Sequence, residues 1–156
     1  MRAPAAVALA ALALLARAPG PEGVAMKTAP DSVSLELVLP RSIKAGRLVP
    51  IRLRVQNRTR EPVDLYLRGR TPTFDVVVAR RGGEVVWRRL ENEIVPAILQ
   101  LRTLGPSERL ELEAVWDQRT SSGRPAEPGE YTARGLLLTE GEPMEAPAES
   151  FRIVGR

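Results

Sequence analysis

The sequence predicts an all-β protein: an antiparallel β-sandwich of about seven to nine short strands, preceded by an N-terminal signal segment. Apolar and polar residues alternate with a period of two in most stretches between Leu35 and Ile153. Clusters of Gly, Pro, Asn and Ser interrupt that alternation at short intervals, as turns would. No stretch sustains the spacing of a long amphipathic helix.

Taken in order, the chain opens with one early positive charge at Arg2 and an apolar run from Ala5 to Ala16. The run falls short of the roughly 20 residues needed to span a bilayer and matches the central region of a secretory signal peptide. Ala16-Arg17-Ala18 and Gly23-Val24-Ala25 are both small-x-small cleavage candidates; the second avoids leaving Pro19 at the new terminus. Residues 1–25 are therefore expected to be cleaved, leaving residues 26–156 as one domain, exported to the periplasm or outside the cell and not inserted in a membrane. If Met26 is instead the true start of translation, the protein is cytoplasmic.

Leu35, Leu37 and Leu39 begin the strand pattern, and Val49, Ile51, Leu53 and Val55 continue it against Pro50, Arg52, Arg54 and Gln56. Such a strand lays its aliphatic side on a core and its arginines in water. Asn57-Arg58-Thr59-Arg60-Glu61-Pro62 is a turn, and Val63, Leu65 and Leu67 form the next inward row. "FDVVVARRGGEVVWRR" reads as a hairpin, because Gly82-Gly83 supplies the positive φ values that tight turns need. In it Phe74, Val76 and Val78 share one face, and Val85 and Trp87 share a face of the second strand. Residues 90–108 carry a spacing (Ile94, Ile98, Leu101, Leu104) that also fits a short helix, but Pro96 opposes a long one. That region is expected to be irregular, with one strand around 98–102. Alternation resumes with Leu110, Leu112, Ala114 and Trp116, then with Tyr131, Ala133, Gly135 and Leu137, and closes with Phe151 and Ile153.

Composition narrows the chemistry. The chain has no cysteine and no histidine, which excludes disulfides, thiol nucleophiles, Cys-type zinc sites and a Ser-His-Asp triad. Asp75 with Asp117, or Glu91 with Glu93, are the carboxylate pairs left for acid–base work. Charged residues of this kind belong on any solvated β surface, and no phosphate-binding loop accompanies them. No enzymatic activity, cofactor or metal is expected. The net charge is +4, but the basic residues are nearly all arginine and are scattered among nearly as many carboxylates. The six aromatic residues fall mostly in inward rows, so no stacking face for nucleic acid is expected.

The stretch from Trp116 to Gly135 has an architectural reading. Trp116 ends an inward row and plugs one end of the core. Asp117 is placed to accept hydrogen bonds from the loop amides after it. Tyr131, after the Pro128-Gly129 turn, is placed like a tyrosine corner, whose hydroxyl bonds to upstream backbone. Trp87 joins these as a structural residue.

Six motifs, in order, carry a resemblance: Asn57-x-Thr59-x-x-Pro62, Phe74-Asp75-Val76-Val77-Val78, Gly83-Glu84-Val85-Val86-Trp87, Leu104-Gly105-Pro106-Ser107-Glu108, Trp116-Asp117 and Pro128-Gly129-Glu130-Tyr131. Together, over about residues 46 to 139, the chain resembles the intracellular proteinase inhibitor (BsuPI) family. The resemblance implies an immunoglobulin-like β-sandwich and binding to proteinases. Trp87-Arg88-Arg89-Leu90 departs from the aromatic-rich strand of that family. The expected function is a non-enzymatic protein-binding module, a proteinase inhibitor by resemblance. The alternative is an accessory cell-envelope domain that scaffolds an assembly. Candidate contact residues lie in two loops: Arg68, Arg70 and Thr71 in the first, Arg80 and Arg81 in the second.

Overall fold

A computed structural model describes residues 30–155. After a single 3-10 turn (Pro30–Ser32), the chain forms β1 (Val33–Val38), β2 (Ser42–Lys44), β3 (Val49–Asn57), β4 (Val63–Arg68), β5 (Phe74–Arg80) and β6 (Val85–Arg88). It continues through β7 (Leu99–Leu104), β8 (Arg109–Trp116), β9 (Gly129–Leu137), β10 (Met144–Glu145) and β11 (Glu149–Val154). The expected signal segment lies outside the described residues. Among these residues no helix is long and apolar enough to cross a membrane.

The strands form three groups. One sheet has the order β1-β3-β8 and is antiparallel throughout. The second runs β2-β11-β9-β5-β6, with β10 beside β9; only the β2–β11 pair is parallel. A two-stranded ribbon, β4-β7, stands beside these sheets. More strands are present than the sequence predicts, because β2 and β10 have 3 and 2 residues and are too short to show any periodicity.

The alternation of β3 decides where the core sits. Val49, Ile51, Leu53 and Val55 are buried, while the arginines between them lie over the outer face. There Arg52 and Arg54 pair with Glu111 and Glu113 of β8 and with Glu36 of β1. The inward row meets the second sheet closely. A Cβ added at Gly135 of β9 would lie 2.9 Å from Leu37 Cδ1 and 3.2 Å from Leu53 Cδ1. Glycine there lets the two sheets approach at the middle of the core.

At one end the core is aromatic. Trp116, Tyr131 and Phe151 are buried and meet edge-on or stacked at 5.6–6.3 Å between ring centroids. The β5–β6 hairpin turns at Gly82 and Gly83, with φ of 110° and 97°. Its second strand differs from expectation. Val78 pairs with Trp87 but Ala79 pairs with Val85, so Val86 is an extra residue in a bulge. The bulge breaks the period of two: Val86 is 9% exposed and Val85 54%.

Candidate functional site

Two loops present the candidate arginines, and they lie apart. Arg68–Thr73 joins β4 to β5, and Arg80–Gly83 joins β5 to β6. They sit at opposite ends of β5, whose 7 residues span about 20 Å. Arg68, Arg70 and Thr71 therefore cannot share one small contact with Arg80 and Arg81.

The first loop is braced from both sides. The Arg68 amide donates to Leu138 O at 3.0 Å and the Leu138 amide donates to Thr73 O at 3.0 Å. The Gly69 amide donates to Ile98 O at 2.9 Å, and Gln100 Nε2 donates to Gly69 O at 2.9 Å. Gly69 has φ of +99°, and a Cβ there would lie 2.9 Å from Thr71 O, so the loop is folded back on a point that only glycine fits. Thr73 Oγ1 donates to Thr71 O at 2.9 Å and closes the turn. Arg70 and Thr71 are exposed at the tip, and Arg70 forms no ion pair among the described residues.

In the second loop the Arg80 side chain and the Arg81 backbone are held by the protein itself, while the Arg81 side chain is exposed. The Arg80 guanidinium donates to the Glu127 carboxylate at 2.5 Å. That hydrogen bond, and the charge behind it, hold Glu127 below its ordinary carboxylate pKa and raise Arg80. The Arg81 amide donates to Glu130 O at 3.0 Å, fixing the turn against β9.

Trp87, Trp116, Asp117 and Tyr131 gather at this same end, since Arg80 pairs in register with Tyr131. Tyr131 Oη donates to Glu127 O at 2.6 Å, four residues upstream. Trp116 Nε1 donates to Arg119 O at 2.7 Å, and the Arg119 amide donates to Asp117 Oδ1 at 3.0 Å. A polar cleft of about 250 Å³ lies beside Trp87, between Arg89 and Asp117.

Of the candidate carboxylates, Glu91 and Asp117 line this same cleft. Asp75 is buried, with Oδ2 against Arg88 at 2.5 Å and Oδ1 accepting the amides of Val76 and Leu90 at 2.9 and 3.0 Å. Glu91 and Glu93 are exposed. Among the described residues no group of His, Cys, Asp or Glu is arranged to hold a metal.

Two buried polar residues organise the loops and carried no signal as sites. Asn57 Nδ2 donates to the carbonyls of Glu61, Leu104 and Gly105 at 2.7–3.0 Å, while its Oδ1 accepts from the Thr59 amide at 2.8 Å. Gln118 accepts from the Gly46 amide at 3.1 Å and donates to Lys44 O and Arg47 O at 2.9 and 2.8 Å. The Asn57-x-Thr59 spacing announced the first as a turn. Nothing local announced the second.

A family model described as "Intracellular proteinase inhibitor" (BsuPI) matches residues 38–142, about two thirds of the chain and the whole of both loops. The chain belongs to the intracellular proteinase inhibitor family. A proteinase inhibitor family implies a non-enzymatic role and a proteinase as partner. Its description as intracellular overturns the expected export. That expectation rested on the charge, apolar run and cleavage candidates within residues 1–25, which lie outside both the described and the matched residues.

No curated protein matches the chain. Among solved structures, the Pseudomonas fluorescens alkylpurine DNA glycosylase AlkC, bound to DNA containing an abasic site analog, is 16% identical with a TM-score of 0.44. The match covers 78% of this chain and 30% of the glycosylase. A Listeria innocua β-glucosidase in complex with glucose is 10% identical over 79% of this chain and 16% of its own, TM-score 0.42. A Pyrococcus furiosus CARDB domain in complex with di-metal ions is 16% identical over 80% of this chain and 87% of its own, TM-score 0.38. The chain thus spans under a third of the first two.

Proposed function

We propose that this chain is an immunoglobulin-like β-sandwich that inhibits a trypsin-type serine proteinase by offering Arg70 on the Arg68–Thr73 loop. The observation that carries this is the contrast between Arg70 and Arg80. Arg70 stands exposed on a loop pinned by four backbone-directed hydrogen bonds, whereas Arg80 is held by Glu127.

A loop already fixed in one shape loses little conformational entropy when it docks, and that is the usual source of tight inhibition by a small rigid protein. Arg70 supplies a planar cation for an acidic specificity pocket. Arg68 and Thr71 flank it as secondary contacts. Family membership supports the proteinase as partner. The reading needs no cofactor, no metal and no nucleic acid.

The test is a titration of the purified full chain against trypsin-type, chymotrypsin-type and subtilisin-type proteinases, read with chromogenic substrates. Inhibition of the trypsin-type enzyme alone is expected. Arg70→Ala should weaken it by roughly 30-fold or more, the effect of losing a central anchor, while Arg81→Ala stays within about twofold. No inhibition of any of the three, or equal inhibition by Arg70→Ala, would overturn the reading.

A further inference from the structure

Of the seven large apolar side chains exposed among the described residues, four lie between Ile94 and Leu101. Single exposed leucines are ordinary, but a group of them marks a contact surface. This stretch runs beside the Arg70 loop. The Gly69 amide donates to Ile98 O at 2.9 Å, and Gln100 Nε2 donates to Gly69 O at 2.9 Å. Leu99 pairs in register with Arg68, two positions before Arg70.

Burial and register define the two faces of the β4–β7 ribbon. Leu65 and Leu67 are buried, so Tyr66 and Arg68 turn outward. Their register partners are Leu101 and Leu99, and paired residues of antiparallel strands share a face. The outer face is therefore a strip of Leu101, Tyr66, Leu99 and Arg68, with Leu101 57% and Leu99 45% exposed. Thr103 Oγ1 donates to Asp64 Oδ1 at 2.6 Å and closes the far end, while the near end runs into Arg70. Arg102 belongs to the other face, opposite Leu65, and pairs with Glu108. Charges around the strip are mixed, with Arg68 on it and Asp64 at its end; apolar area is what sets it apart.

We propose that this outer face is the second part of the proteinase contact. With Arg70 in the specificity pocket, Leu99 and Leu101 lie on apolar enzyme surface beside that pocket. The inference rests on the Arg70 reading for its placement. Area selects the occupant. A stable complex takes about 20–30 residues and about 800 Å² from each partner, whereas the exposed tip is Arg70 and Thr71 alone. A proteinase that holds Arg70 must therefore cover the surface next to it. On one side of Arg68 that surface is residues 138–142, where Glu140 and Glu142 are exposed and oppose an acidic pocket. On the other side it is the ribbon. An apolar groove between Leu39, Pro50 and Val115 adjoins Trp116, which packs on Tyr131 at the Arg80 end. That groove is too distant to join a contact centred on Arg70.

The test compares inhibition of a trypsin-type proteinase by the wild-type full chain with that by Arg70→Ala, Leu99→Ser, Leu101→Ser and Val115→Ser. Each variant is first checked for an unchanged far-UV circular dichroism spectrum. Leu99→Ser should weaken inhibition about tenfold and Leu101→Ser about fivefold, as expected for losing one covered leucine. Val115→Ser, equally exposed but on β8, should stay within about twofold. Loss with Arg70→Ala but with neither leucine variant overturns this inference and leaves the Arg70 reading standing. Loss with the leucine variants but not with Arg70→Ala bears out the ribbon and overturns the Arg70 reading. A chain that inhibits no such proteinase overturns both. An equal loss in Val115→Ser overturns the inference too, because the effect then belongs to no particular face. So does a wild type of twice the chain mass by light scattering that Leu101→Ser makes monomeric with inhibition intact, which assigns the face to a second copy.

Discussion

The indole rings of Trp87 and Trp116 stack, with centroids 5.6 Å apart and planes 24° from parallel. Trp87 belongs to β6 of the larger sheet and Trp116 to β8 of the smaller, so the stack joins the two sheets at one end. The two are not equivalent: Trp116 is 1% exposed and Trp87 is half-buried. Trp116→Ala should lower unfolding free energy by about 3–5 kcal/mol, and Trp87→Ala by about 1–2 kcal/mol. Urea titration followed by far-UV circular dichroism checks both. Equal losses would mean that the stack, rather than burial, sets the contribution of Trp116.

Tyr131→Phe removes the hydroxyl that donates to Glu127 O and leaves the ring packing intact. A loss of about 1 kcal/mol is expected, with proteinase inhibition unchanged. If stability held while inhibition fell, Tyr131 would have to be moved from architecture to the contact surface.

Gly135→Ala forces a methyl group within 2.9 Å of Leu37 Cδ1 and should cost about 1–3 kcal/mol by overpacking. Leu37→Ala makes room for it. The double variant should therefore be more stable than the sum of the two single losses implies. Additive losses would place the clash elsewhere.

Ser107 has φ of 60° and follows Pro106 in a turn where the Glu108 amide donates to Gly105 O at 3.0 Å. Proline at the second position with positive φ at the third defines a type II turn, in which glycine is preferred. Ser107→Gly should raise stability by up to about 1 kcal/mol, read as a higher midpoint in urea. A lower midpoint would mean that the flexibility gained by the unfolded chain outweighs the strain removed.

The Arg80–Glu127 pair sets a pH dependence of known sign. Because the folded protein holds the Glu127 carboxyl below its ordinary value, the pair's contribution is complete above the ordinary glutamate range. It fades as pH falls through the depressed value. Carbon-detected NMR titration should show Glu127 titrating at higher pH in Arg80→Ala than in the wild type. Identical titrations would show that the pair does not persist in solution.

The strands were legible wherever one face is buried and the other wet. Val49 to Gln56 alternates in sequence because β3 lies between a core and a layer of arginine–glutamate pairs. The same reasoning failed at Val85, because a bulge inserts Val86 and composition does not mark a bulge. It was silent on β2 and β10, which are held by neighbours rather than by their own pattern. Among the candidate contact residues, the types and the loops could be read, but not their grouping. That Arg80 is tied to Glu127, 47 positions away, is a fact of pairing between β5 and the approach to β9. Gln118 shows the deepest gap: a glutamine in a polar run looks solvated, yet it is buried and joins three backbone groups near Gly46.

Asn57-Arg58-Thr59 also reads as an acceptor sequence for N-linked glycosylation. In the folded protein Asn57 is wholly buried and its two Nδ2 protons are shared among three carbonyls, so no transferase can reach it. A nascent chain made in a eukaryotic secretory pathway would meet the enzyme before that enclosure forms. A sugar attached there could not be accommodated, and the turn that joins β3, β4 and β7 would not close. Bacterial expression, or Thr59→Ala to remove the acceptor sequence at the loss of the Thr59 Oγ1 hydrogen bonds to Asn57 and Glu61, avoids this route to misfolded material.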